Sequence, residues 1–93
     1  MDLNLRDKVA VITGGTAGIG LAVAEGLAAE GVNLVLVGRD KARAEDAAVQ
    51  VAEKFGIIAT AIGADVATAD GCDAVVYGTK QAFGGADILI NNA

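Results

Sequence analysis

The sequence predicts an α/β domain built on a parallel sheet wound on both faces. Three observations carry that expectation. Short β-branched runs alternate with longer segments of helical period along the whole chain. The β-type runs are apolar without interruption, which indicates strands covered on both faces. The first run also leads through a glycine-rich turn directly into a helical segment. Together these give a βαβαβαβ order with right-handed crossovers and no linker, repeat or low-complexity stretch.

The first strand is KVAVIT, Lys8–Thr13, bounded by glycine. The segment that follows repeats Ile19, Val23 and Leu27 at i, i+4 and i+8 and closes at Gly31, which predicts a first helix with that stripe inward. NLVLVG, Asn33–Gly38, is the second strand. The second helix has the fullest stripe: Ala44, Ala47, Ala48, Val51, Ala52 and Phe55. Arg43, Glu45, Asp46, Glu53 and Lys54 fall mostly on its other side, and Asp40 stands at the N-cap position. GIIATAIGAD, Gly56–Asp65, predicts the third strand. Val75, Val76, Thr79 and Phe83 mark a third helix, with Thr68 or Asp70 as its cap. ADILINN, Ala86–Asn92, predicts the fourth strand.

Bulk properties exclude several function classes. At 93 residues the chain makes one domain at most. Its 54% apolar content exceeds that of a disordered tail, while no apolar run reaches the length of a membrane span. The opening MDLNLRDK has charges of both signs and lacks the apolar centre of a secretory signal. A net charge of −5, with no basic cluster and three aromatics, argues against nucleic acid or an anionic membrane as partner. Cys72 is the single cysteine, so no internal disulfide forms, and a reducing, cytoplasmic setting fits. The chain has no histidine, so no zinc site or histidine-based triad is expected, and no metal site is predicted.

TGGTAGIG, Thr13–Gly20, places four glycines in eight residues between strand and helix. A strand running straight into a helix points its end at free N–H groups and the positive end of the helix dipole, which is an anion site. Gly14 permits the tight turn, Gly18 lets backbone approach a pyrophosphate, and Gly20 lets the helix lie close to the sheet. A turn that merely needs glycine is the bland alternative. The flanking strand and helix favour a nucleotide site.

The spacing resembles the TGxxxGIG signature of the short-chain dehydrogenases/reductases, and departs from the TGxxGxxG of that family's extended branch. GADV, Gly63–Val66, resembles the family's Asp-Val after the third strand, and INNA, Ile90–Ala93, the start of its NNAG motif. All three motifs come in family order, each at a strand end. The opening DLNLRDKVAVITGG and the GRD after strand two also resemble 3-oxoacyl-carrier-protein reductase relatives. The resemblance implies a Rossmann-like fold with an NAD(P) cofactor. Gly14, Gly15, Thr16 and Ala17 would wrap the adenosine-phosphate end, and Gly18, Ile19 and Gly20 would face the pyrophosphate and nicotinamide half. Asp65 would bond the adenine amino group and Val66 pack on the ring. Asn91, Asn92 and Ala93 would lie along the adenosine ribose, with Asn91 tying strand four to the glycine turn. A solvated loop acid at Asp65 and simple strand-end caps at Asn91 and Asn92 are the alternatives.

Cofactor choice is read at the end of the second strand. A carboxylate there binds the ribose 2′-OH of NAD and repels the 2′-phosphate of NADP. This chain has Gly38 followed by Arg39, a guanidinium suited to a phosphate, which favours NADP(H) over NAD(H). Asp40 could instead turn to the ribose, and Ala17 stands where many NADP-preferring members have a second basic residue.

The family's catalytic Tyr-x-x-x-Lys pair and Ser lie downstream of NNAG, so no catalytic residue is expected within 1–93. Tyr77 and Lys80 form only Y-x-x-K on the third helix and read as surface residues, and Cys72 as a small apolar helix residue. The chain is therefore expected to be the N-terminal, cofactor-binding part of a longer Rossmann domain. Its fourth strand should be an open apolar edge, prone to aggregation in isolation. The whole protein would transfer hydride between NADP(H) and a small carbonyl or alcohol substrate, as a dimer or tetramer. A non-catalytic dinucleotide-binding module or an inactive fragment is the second reading. A methyltransferase on a similar sheet is the third, and it lacks the expected acid after strand two.

Overall fold

A computed structural model describes residues 4–92. In chain order the elements are β1 (Val9–Thr13), α1 (Gly18–Ala29), β2 (Asn33–Gly38), α2 (Lys41–Phe55), β3 (Ala59–Gly63), α3 (Ala69–Phe83) and β4 (Ile88–Asn91). The four strands form one sheet in the order β3-β2-β1-β4. Every pairing is parallel: Val11 lies opposite both Val35 and Leu89, and Leu36 lies opposite Ala61. The order reverses at β1, whose two neighbours are β2 and β4. In open α/β sheets the crevice beyond the strand ends at such a switch point is where ligands bind.

The pleat divides the core. Ala10 and Ile12 of β1 and Leu34 and Leu36 of β2 point to the face covered by α1 and α2, where they meet Ala24, Ala28, Ala47, Ala48 and Val51. Val9, Val11, Val35 and Val37 point to the other face, where Val75 and Phe83 of α3 pack on them. β1 and β2 are buried on both faces, as their unbroken apolar runs predict. β3 is half-buried, and β4 alternates between half-buried and exposed residues. Leu89 is 69% exposed. These two strands are the sheet edges, and among the described residues one helix covers the α3 face, so β4 is the open apolar edge that the sequence predicts.

Three expectations are corrected. α1 does not turn the whole Ile19, Val23 and Leu27 line inward: Leu27 packs against the core and Val23 is half-buried, but Ile19 faces solvent. Its buried line is Gly20, Ala24 and Ala28, one position further on. Small residues let this helix lie close to β1 and β2, and Ile19 is 75% exposed. On α3 the inward residues are Gly71, Val75, Thr79 and Phe83, while Val76 is exposed. β3 and β4 are also shorter than their sequence spans: Gly56 takes a left-handed conformation as the C-cap of α2, and Gly84 does so for α3. α2 and its Asp40 cap match the sequence reading, and the cap of α3 is Thr68. No helix among the described residues is long and apolar enough to cross a membrane.

Candidate functional site

The carboxyl ends of β1, β2 and β4 and the turn after β3 surround a cavity of about 500 Å³. Six residues singled out from the sequence line it: Gly14, Arg39, Asp65, Val66, Asn91 and Asn92. Thr13, Val37, Gly38, Ala64 and Ala67 complete its wall. Gly15, Thr16, Ala17, Gly18, Ile19 and Gly20 do not line the cavity; they form the neighbouring turn and the first residues of α1. Ala93 lies outside the described residues.

The turn is built by close backbone approach. Gly14 has φ +66°, and its N–H donates to the Val37 carbonyl at 2.9 Å. A Cβ at Gly14 would stand 2.5 Å from the Asn92 carbonyl oxygen. Gly15 is buried, and its N–H also points to Val37 O, at 3.4 Å. The amide hydrogens of Gly14 and Gly15 are thus committed to β2. A Cβ at Gly20 would run into the Gly14 carbonyl and stand 2.8 Å from Asn92 Nδ2. The first turn of α1, the glycine turn and the end of β4 therefore touch where side chains are missing.

The amino terminus of α1 carries no side-chain cap. Ala17 occupies the N-cap position with extended backbone (φ −160°, ψ 166°), no side chain accepts a hydrogen bond there, and the first turn has no acidic residue. The N–H groups of Gly18, Ile19 and Gly20 have no intrahelical acceptor, because a helix leaves its first donors unpaired. A Cβ at Gly18 would meet nothing within 4 Å, so this face opens outward. Free donors, the helix dipole and absent side chains make a place for an anion.

Thr13 is a functional candidate that the sequence reading missed. Its buried hydroxyl donates to Asn91 Oδ1 at 2.9 Å and accepts from the Asn92 N–H at 3.1 Å. It clamps β4 to β1 at the switch point, and Asn92 comes up against Gly14 and Gly20 of the glycine turn. The available signal was a threonine as the last residue of a strand that feeds directly into glycine.

At the opposite wall Arg39 Nη2 lies 3.8 Å from Asp65 Oδ1, with the two side chains 80% and 44% exposed. Such an exposed pair is weak, so either partner can exchange it for another ion. Asp65 Oδ1 also accepts from the Ala67 N–H at 2.9 Å, and its carbonyl accepts from Thr68 Oγ1 at 2.9 Å. Asp65 therefore shapes the β3–α3 turn as well as facing the cavity. Tyr77 and Lys80 are exposed on α3, away from this cavity. Cys72 is exposed too, and its thiol donates to the Val66 carbonyl at 3.3 Å.

Comparison with known proteins agrees with this architecture. The family described as short chain dehydrogenase matches residues 8–93. The L-sorbose reductase of Gluconobacter frateurii, solved with NADPH and L-sorbose, superposes with a TM-score of 0.97. It is 54% identical over 100% of this chain and 35% of its own. An NAD+-bound xylitol dehydrogenase superposes at 0.88 with 35% identity, over 96% of this chain and 34% of its own. The galactitol 2-dehydrogenase of Agrobacterium fabrum is 43% identical over 91 residues, 98% of this chain and 34% of that enzyme. The chain thus spans about a third of the length of these relatives. With the family match over residues 8–93, and the glycine turn, the Asp-Val after β3 and the Asn pair at the end of β4 lining one crevice, this chain belongs to the short-chain dehydrogenase family.

Proposed function

We propose that this chain is the cofactor-binding part of an NADP(H)-linked oxidoreductase that interconverts a carbonyl and an alcohol on a small polyhydroxylated substrate of the ketose–alditol type. The observation that carries the cofactor reading is the uncapped α1 terminus opening beside a β2 end that holds Gly38 and Arg39. The ketose–alditol class is supported by the 54% identity to an L-sorbose reductase. The missing side chains at Gly14 and Gly18 fit a dinucleotide laid across the turn.

In this reading the N–H groups of Gly18, Ile19 and Gly20 hold the pyrophosphate. Gly15, Thr16 and Ala17 set the height of the turn at the adenosine-phosphate end. Arg39 leaves Asp65 to pair with the ribose 2′-phosphate, and Asp65 is then free to accept from the adenine amino group. Val66 packs on the adenine, and Asn91, Asn92 and Ala93 flank the adenosine ribose. The bound dinucleotide supplies or accepts the hydride, and the residues of this chain position it. The acid–base groups lie in the polypeptide beyond Ala93, and the whole protein acts as a cytoplasmic dimer or tetramer.

The test is a titration of the full-length protein with NADPH and NADH. NADPH binds more tightly. Arg39→Ala lowers NADPH affinity by about 10- to 100-fold, the worth of charge-assisted hydrogen bonds, and leaves NADH affinity nearly unchanged. An equal loss for both nucleotides removes Arg39 from the ribose end. Turnover of a 3-oxoacyl thioester but of no ketose or alditol reassigns the substrate.

A further inference from the structure

Gly38 lacks a side chain, and the structure gives a reason that lies on another loop. A Cβ built there would stand 2.9 Å from Thr16 Cγ2 and 3.3 Å from Thr16 Oγ1, with Thr16 Cβ itself at 3.7 Å. Both heavy atoms on the threonine Cβ thus face residue 38. Staggered rotation about χ1 offers three positions, and the methyl and hydroxyl always fill two of them. Two of the three face residue 38, so no threonine rotamer clears both. A serine, with one γ atom, clears them in one rotamer.

Backbone hydrogen bonds on both sides restrain residues 16 and 38 from moving apart. On one side, the turn preceding Thr16 is tied to β2 by the Gly14 N–H to Val37 O bond at 2.9 Å. On the other, the Gly38 carbonyl accepts from the Ala64 N–H at 3.0 Å and so holds β2 to the strand beside it. Parting residues 16 and 38 strains one of these bonds.

We infer that Thr16 is a specificity-determining residue: it holds position 38 to glycine, and so keeps out the carboxylate that would select a dinucleotide with a free ribose 2′-OH. This rests on the dinucleotide reading proposed above. Cofactor preference is then set by a pair of residues from two loops, and position 38 cannot be changed to good effect alone.

The test uses the full-length protein as wild type, Thr16→Ser, Gly38→Asp and the double variant, with NADH and NADPH dissociation constants for each. Gly38→Asp alone weakens NADPH binding and gains little for NADH. The double variant gains about 10-fold for NADH over Thr16→Ser alone, as a charged hydrogen bond to the 2′-OH supplies. An equal NADH gain for Gly38→Asp alone overturns the inference. Nucleotide-free melting curves of Gly38→Ala, made in the wild-type and in the Thr16→Ser background, form a second readout. The added methyl lowers the melting temperature by about 5 °C more beside threonine than beside serine. Equal shifts in the two backgrounds overturn the steric coupling whatever the affinities are. Wild-type protein that binds neither nucleotide overturns the functional proposal and the specificity claim with it, while the melting pair still reports the contact.

Discussion

Helices α1, α2 and α3 begin with the same backbone geometry and treat their first donors differently. All three N-cap residues are extended. Asp40 of α2 accepts from the Arg43 N–H at 3.2 Å, and Thr68 of α3 accepts from the Gly71 N–H at 2.9 Å. Ala17 of α1 offers nothing. A cap is worth about 1 kcal/mol, so α1 forgoes stability that its two neighbours hold. The difference coincides with location: α1 alone starts at the end of β1, where the strand order reverses. The helix that starts at the switch point is the one whose first donors carry no side-chain cap.

The contrast breaks most severely at Gly20. Gly20→Val drives side-chain atoms into the Gly14 carbonyl and Asn92, so α1 must withdraw from the turn. Denaturant titration should show a loss of about 3 kcal/mol, and NADPH binding should disappear. Retained binding would mean that the close approach does not shape the site.

Ala17→Asp sharpens the comparison by giving α1 the cap that α2 has. The variant should gain about 1 kcal/mol without nucleotide and bind NADPH and NADH more weakly, because its carboxylate occupies the donors and repels the pyrophosphate. Opposite signs in the two measurements separate competition from damage. Loss of both stability and binding would count against an open anion site.

The smallest effects come from removing the other caps. Asp40→Ala and Thr68→Ala should each cost about 1 kcal/mol in denaturant titration and leave the ratio of NADPH to NADH affinity unchanged. A changed ratio for Asp40→Ala would place that carboxylate on the ribose rather than at the helix end.

How much of this was legible in the sequence depended on where the information sat. α2 was legible because its apolar stripe and charged face contrast strongly, and Asp40 stands at the right offset. The glycine turn was legible because its flanking strand and helix are local. The buried face of α1 was not, since Gly20, Ala24 and Ala28 carry little hydropathy and Ile19 carries much while facing solvent. The open edge at β4 was legible, whereas Val76 was wrongly placed on the inward stripe of α3. Leu89 and Val76 are apolar by composition, and nothing among the described residues covers them. Thr13 escaped because its hydroxyl finds its partners at the far end of the chain. The contact between Thr16 and Gly38 likewise joins two loops that share no sequence pattern.

The Thr13–Asn91 bond joins residues 78 positions apart. β1 pairs with β2 and β2 with β3 over far shorter stretches of chain than β1 with β4. Long loop closures slow folding, so the pairing that completes the site is the least local one in the sheet. During synthesis the glycine turn emerges first and waits for almost the whole of this sequence before Asn91 and Asn92 can close on it. Any ligand that binds only the closed corner would by mass action oppose the departure of β4.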